Sequence, residues 1–136
     1  MRISAKAEYA CLAMLALARG GPDDPPVRIK EISDAHAIPE RYLVQILLQL
    51  KGAGLVASTR GASGGYRLAR SAAAISLAEV LTAIDGPEPP ARGPLRPAVR
   101  VLASVWEHAR AAERAVLDKT SIAQLAAELS PREWVI

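Results

Sequence analysis

Between Gly86 and Pro97 the chain reads GPEPPARGPLRP, and half of its ten prolines fall within this one stretch. Proline lacks the backbone N–H that helices and sheets use and clashes with the preceding helical turn, so no regular element crosses it. The stretch therefore divides the chain into residues 1–85, a connecting loop at 86–97 and residues 98–136. On both sides of it, apolar residues recur at three- and four-residue intervals, the period of helices. Half of all residues are apolar but no Phe is present, so the core must be built from Leu, Ile, Val and Ala. Such small and aliphatic residues favour close-packed helices over a sandwich of sheets.

Ser4 is placed to cap a first helix, with Tyr9, Leu12, Ala13, Ala16 and Leu17 spaced along one face, and RGGPDDPPV ends it near Arg19. A second, short helix is expected over Ile29–His36, with Ile29, Ile32 and Ala35 together. After a tight connection near Ala37, a third runs from Pro39 to about Gly52. Proline suits a first helical position because its missing N–H has no partner there anyway. The inward stripe of that helix is Leu43, Ile46, Leu47 and Leu50. A fourth helix is expected over about Ser76–Ile84, a long one from Ala98 to Leu117, and a short one over Ser121–Leu129.

One segment does not read as helix. RGASGGYRL, residues 60–68, carries three glycines and two arginines and follows an apolar run. Glycine tolerates tight reversals, so Leu55–Thr59 and Tyr66–Ala69 become the arms of a hairpin with its tip at Gly61–Gly65. A phosphate-binding loop is the wrong reading, because the Gly-Lys-Ser/Thr ending and the following helix are missing. Two readings remain: a hairpin that only closes a gap between helices, or a finger that touches nucleic acid.

The preceding residues bear on that choice. A short helix, a tight connection and a longer helix form a helix-turn-helix, whose second helix packs across the first and leaves its polar side free for a major groove. That polar side is Glu40, Arg41, Tyr42, Gln45 and Gln49. Arg and Gln can each pair two groups with a guanine or adenine edge, while Tyr more often reaches phosphate. Taken alone, these residues better suit an ordinary helical hairpin with a solvated face. A hairpin directly after the second helix is where a winged helix-turn-helix carries its wing, and Arg60 would there meet a narrow minor groove or its phosphates. Charge agrees in sign: ten Lys/Arg stand against six Asp/Glu up to Arg70, and seven against eight beyond it.

The long C-terminal helix lines up Val99, Leu102, Trp106, Ala109, Ala112 and Val116 on one side. A small head cannot cover so long a face, which points to pairing of two chains; packing within one chain is the alternative. The fold expected is thus mainly α with a small β-hairpin wing, a winged helix-turn-helix head over 1–85 and a dimerisation helix with a C-terminal helix over 98–136.

MRISAKAEYACLAMLALA, IPERYLVQILLQLKGAGLVASTRGASGGYRLAR, ISLAEVLTAIDG and TSIAQL together resemble the Rrf2 family of bacterial winged helix-turn-helix regulators, which includes IscR, NsrR and CymR. The resemblance spans nearly the whole chain. It implies a dimer with two recognition helices in successive major grooves of a palindromic double-stranded DNA operator. Carried over by position, it puts Lys6 near phosphate and Arg41, Tyr42 and Gln45 on the recognition helix. Arg60 and Gly61 fall in the wing, with Ser63 and Tyr66 beside them. Val44 departs from the Glu found in the iron–sulfur biogenesis regulators of the family; valine accepts no hydrogen bond from cytosine but can touch a thymine methyl.

Many members of that family hold an iron–sulfur cluster on cysteines of the loop and the long helix, because iron–sulfur centres need thiolate donors. By the resemblance, the last of those cysteine positions falls here on Arg100 and a nearby histidine position on Ala103, and the chain's single cysteine, Cys11, lies in the first helix among apolar neighbours. Glu8 and His108 read as helix-surface residues. No metal and no cofactor are expected. One cysteine also excludes an internal disulfide and suits a reducing cytoplasm, and neither a signal peptide nor an apolar span long enough for a membrane is visible. No nucleophile–base set converges, so no enzyme is expected. The expectation is a cytoplasmic repressor acting as a homodimer, answering to an unidentified effector ligand, to a partner protein or to nothing; the alternative is a protein-interaction module of the same shape with weak or no DNA affinity.

Overall fold

The computed structural model describes residues 2–20, 24–62, 64–87, 89 and 96–129, which form six α-helices and one antiparallel hairpin. Most of the proline-rich stretch, the wing residue Ser63 and the tail with Trp134 lie outside the described residues.

Helix α1 spans Ala5–Ala18, and the Ser4 hydroxyl caps it by accepting from the Ala7 N–H. Its buried face is Ala7, Ala10, Ala13, Met14 and Leu17, whereas Tyr9, Leu12 and Ala16 are only half-buried at its edges. This corrects the expected stripe. In a helix apolar nearly all round, period does not single out a face, and the alanine side wins because it lets neighbouring helices approach closely. Helix α2 covers Ile29–His36 and α3 covers Glu40–Gly52. Between them Ala37 sits in the left-handed region, at φ 53°, its N–H bonded to the Ser33 carbonyl. The Ile38 N–H donates to that same carbonyl, and the Ser33 hydroxyl donates to the Ile38 carbonyl. Pro39 occupies the cap rather than the first turn of α3, with φ −56° and ψ 129°. Leu43, Ile46, Leu47 and Leu50 are wholly buried, as their spacing predicts. Each such side chain contributes about 1.5–3 kcal/mol by leaving water.

Strands β1 (Val56–Thr59) and β2 (Gly65–Leu68) pair antiparallel with Thr59 opposite Gly65 and Val56 opposite Leu68. Val27, just before α2, adds a further rung: its N–H donates to the Tyr66 carbonyl at 2.9 Å and its carbonyl accepts from the Tyr66 N–H at 2.7 Å. A single 3-10 turn, Ala72–Ala74, follows, then α4 over Leu77–Asp85. Ser76 and Glu79 close a reciprocal capping box on α4, and Ser121 and Gln124 close a second on α6, which spans Ile122–Glu128. Between them α5 runs from Pro97 to Lys119.

Helix α6 returns to the head. Ile122 is fully buried and its N–H donates to the Ile75 carbonyl, while the Leu77 N–H donates to the Thr120 carbonyl. The C-terminal helix thus shares one core with α1 and α4, and α5 is the long arm of a loop that leaves that core and comes back. Among the described residues no helix is long and apolar enough to cross a membrane.

Candidate nucleic-acid interface

Opposite its leucine stripe, α3 exposes Glu40, Arg41, Val44, Gln45 and Leu48. Arg41 and Gln45 have no hydrogen bond or ion pair among the described residues, so the donors needed for base edges are free. Glu40 stands in the first turn, where a carboxylate complements the positive end of the helix dipole. Tyr42 is half-buried and its ring meets that of Tyr9 edge-on, with centroids 5.6 Å apart and planes at 86°. Its packing ties the outward face of α3 to α1. Lys6 is half-buried on α1 and Gly61 is exposed at the wing.

Two placements differ from expectation. The polar pattern puts Gln49 on the outward side, but it turns to α4, where its amide N–H donates to the Ile84 carbonyl at 3.4 Å and its Oε1 is buried without a partner among the described residues. Each step of four residues overshoots a full turn by about 40°, so two such steps from Arg41 carry Gln49 round to the α4 side. Leu48, which the polar pattern passes over, is 59% exposed. Seven residues from Arg41, it falls within about 20° of it on the helix wheel and so sits near the centre of the outward face.

The wing is fastened at both ends. Lys51 at the end of α3 donates from Nζ to the Ser58 hydroxyl at 2.7 Å, and the Arg28 guanidinium donates to the Ala62 carbonyl at the hairpin tip. The second link is not legible in sequence, because it joins residues 34 apart. The wing glycines divide their work. A Cβ on Gly64 would lie 2.2 Å from the Thr59 carbonyl oxygen, and one on Gly65 would lie 2.5 Å from that of Val27. Both glycines serve contacts inside the chain. Of the three in the wing, only Gly61, at φ 103°, faces open space. Tyr66 is half-buried against the core and its backbone is held by Val27, which gives it a structural place in the wing. Arg60 is exposed at the foot of the tip. Below the wing, Arg70 pairs with Glu79 at 2.6 Å; that hydrogen bond, with further bonds from Ser76, holds the Glu79 carboxyl below its ordinary range.

The second surface is α5. None of its 23 residues is buried, and Val99, Leu102, Trp106 and Val116 are each about half exposed or more. Ala109 is exposed with them. Val101 and Val105, absent from the expected stripe, are exposed at 68% and 56% and widen the apolar face. Exposed apolar side chains gathered on one face of a helix are a feature of contact sites.

The profile of the Rrf2 family, described as an iron-dependent transcriptional regulator, matches residues 3–128. An HTH-type transcriptional regulator of Mycobacterium tuberculosis is 41% identical over 137 residues, covering 96% of this chain and 84% of that protein. Among solved structures, CymR of B. subtilis, the global cysteine regulator of that organism, superposes with a TM-score of 0.83 at 34% identity, over 96% of this chain and 99% of that one. IscR of T. potens follows with a TM-score of 0.80 at 31% identity, over 97% and 90%.

The iron in the family description meets a poor donor set here. An iron–sulfur cluster takes several thiolates, and the chain has one cysteine. That cysteine, Cys11, is half-buried in α1, and burial first and the nearby Glu8 second push its thiol up to about 11, the direction opposite to a metal-binding thiolate. Among the described residues no three His, Cys, Asp or Glu side chains gather closely enough to hold a metal. These residues do not fit the cluster.

Proposed function

This chain belongs to the Rrf2 family of helix-turn-helix transcription regulators, and from that premise we propose that it is a repressor which binds a palindromic operator as a homodimer, without an iron–sulfur cluster. The observation that carries the reading is the juxtaposition of an unpaired Arg41–Val44–Gln45 face on α3 with a wing that is tied to α3 through Lys51 and carries Arg60 outward. Arg41 and Gln45 read base edges in the major groove, Val44 touches a thymine methyl, and Arg60 meets phosphate or the minor groove. Lys6 and the wing tip, Gly61 and Ser63 included, add backbone contacts. Residues 1–85 supply this surface. The apolar side of α5, with Val99, Leu102, Trp106, Ala109 and Val116, supplies the pairing that sets two such heads on one duplex. Occupying a promoter in this way blocks transcription from it.

Binding titrations at several salt concentrations, on the DNA upstream of its own gene and on a scrambled duplex, test this. Arg60→Ala should weaken binding to both and flatten the log–log salt slope by about one unit for each phosphate that the arginine neutralises. Gln45→Ala should cost about 1–3 kcal/mol on the preferred duplex and much less on the scrambled one. If both variants bind both duplexes as the parent does, the wing is a structural hairpin only and a protein-interaction role replaces this one. Prepared without oxygen, the protein should be colourless and free of stoichiometric iron and acid-labile sulfide; visible absorbance with matching iron would refute the cluster-free reading.

A further inference from the structure

Helix α3 contains six large aliphatic side chains, and they divide sharply. Leu43, Ile46, Leu47 and Leu50 have no exposure, while Val44 is 39% and Leu48 59% exposed. A single exposed leucine means little on a protein surface. These two, however, stand four residues apart, where helical side chains are neighbours, and they share the outward face with Arg41 and Gln45. Arg41 lies almost directly above Leu48 on the helix wheel and Gln45 lies beside it. The apolar pair is thus framed by a cation and an amide with free hydrogen-bonding groups, and Lys51, seven residues beyond Val44 on the same helix, joins the frame to the wing through its bond to Ser58. A cationic frame around a small apolar centre complements the major groove of DNA, where phosphates line the rim and the 5-methyl of thymine is the apolar group on the floor. It does not suit an apolar protein partner, which would meet Arg41 as an unpaired charge to be desolvated.

We infer that Val44 and Leu48 form one apolar reading patch on α3 that takes the 5-methyl groups of two thymines and makes them a determinant of operator choice. This rests on the DNA-binding reading above and specifies what it reads. The spacing of the two side chains along the helix axis is about 6 Å, against about 3.4 Å between stacked bases, so the two methyls lie one or two base-pair steps apart. Leu48 is the larger and more central of the pair. It therefore carries the stronger preference.

The test uses the full chain and a duplex enriched by it from a random-sequence pool. Each thymine of that duplex is replaced singly by deoxyuridine, which removes the methyl and keeps the base pairing. Two thymines, one or two steps apart in each bound half, should show roughly 3- to 10-fold weaker binding on replacement. Leu48→Ala should abolish the sensitivity at one of them and Val44→Ala at the other, while Leu48→Met, which keeps an apolar side chain there, should retain it. Enrichment of a duplex that responds to Gln45→Ala but to no deoxyuridine overturns the patch and leaves the DNA-binding reading standing. A Leu48→Ala loss that is equal on thymine and deoxyuridine duplexes also overturns it, since the side chain then acts on the helix and not on the methyl. Failure to enrich any sequence removes both readings together.

Discussion

Helices α3 and α5 are written in the same spacing of apolar residues, yet the chain treats them in opposite ways. The stripe of α3 is closed completely by α1, α2 and α4, whereas α5 has no buried residue along its whole length. An amphipathic pattern therefore holds two separate kinds of information. Period says that a face must be covered; what covers it depends on whether the same chain has surface left to offer. Here α6 returns to the head and adds Ile122 to its core, while α5 leans on α4 with Arg110, Glu113 and Leu117 half-buried, and the apolar face of α5 stays exposed. The core of the head is closed within one chain, and the apolar face of the arm is open.

The largest effect should come from attacking the arm. Trp106 is 55% exposed and lies centrally on the apolar side of α5. If a second chain covers it, Trp106→Ala should weaken association by about 3–5 kcal/mol, the usual cost of removing a buried indole. Sedimentation across a concentration series would read this as a dimer turned monomer, with the helical content of the head kept. A parent protein that stays monomeric at micromolar concentration would erase the contrast between the two helices, because α5 would then be an arm that nothing covers.

The reciprocal change strikes the closed helix. Leu47→Ala removes a wholly buried side chain and should cost about 2–5 kcal/mol of folding stability, depending on how far the core relaxes into the space. It is best measured by denaturant unfolding in the Trp106→Ala background, where association no longer adds to apparent stability. The expected result is a lower unfolding midpoint with no change in the association of the otherwise native chain beyond that loss. If Leu47→Ala instead dissociates the dimer while leaving the monomer as stable as before, the cores of head and interface are one, and the division between them fails.

Much of this architecture is legible in the sequence alone. The bounds of α2, the buried leucines of α3, the hairpin after it and the serine cap of α1 all follow from local rules that act within a few residues. What escapes those rules depends on contacts distant in sequence. Gly64 and Gly65 are required by the Thr59 and Val27 carbonyls, and Arg28 reaches the wing tip from the start of α2. Local spacing misplaces Gln49 because a polar residue at helical period looks outward unless a neighbouring helix, here α4, is known to stand there. It misses Leu48 for the converse reason: an aliphatic residue among aliphatic residues looks inward, and only its angle to Arg41 shows otherwise. The outward face of α3 is thus legible in its charged members and only in part in its apolar ones.

The smallest expected effect concerns the corner that sets α3 against α2, and it should move stability without touching association. Ala37 is the one non-glycine residue with positive φ among the described residues, at 53°. Holding an L-residue with a Cβ in that region costs roughly 1–2 kcal/mol, a cost that glycine escapes. Glycine in turn loses more freedom on folding, by about 0.4–1 kcal/mol. Ala37 is exposed, so its methyl contributes little packing that would be forfeited, and the N–H bond to the Ser33 carbonyl is kept by either residue. Ala37→Gly should therefore stabilise the head by about 0.5–1 kcal/mol, the difference between those two effects. Thermal unfolding in the Trp106→Ala background would show a small rise in midpoint, while sedimentation of Ala37→Gly alone would match the parent. A drop in stability would mean that the strained alanine holds the corner more firmly than a relaxed glycine can, and that the angle of the outward face of α3 is maintained by that stiffness.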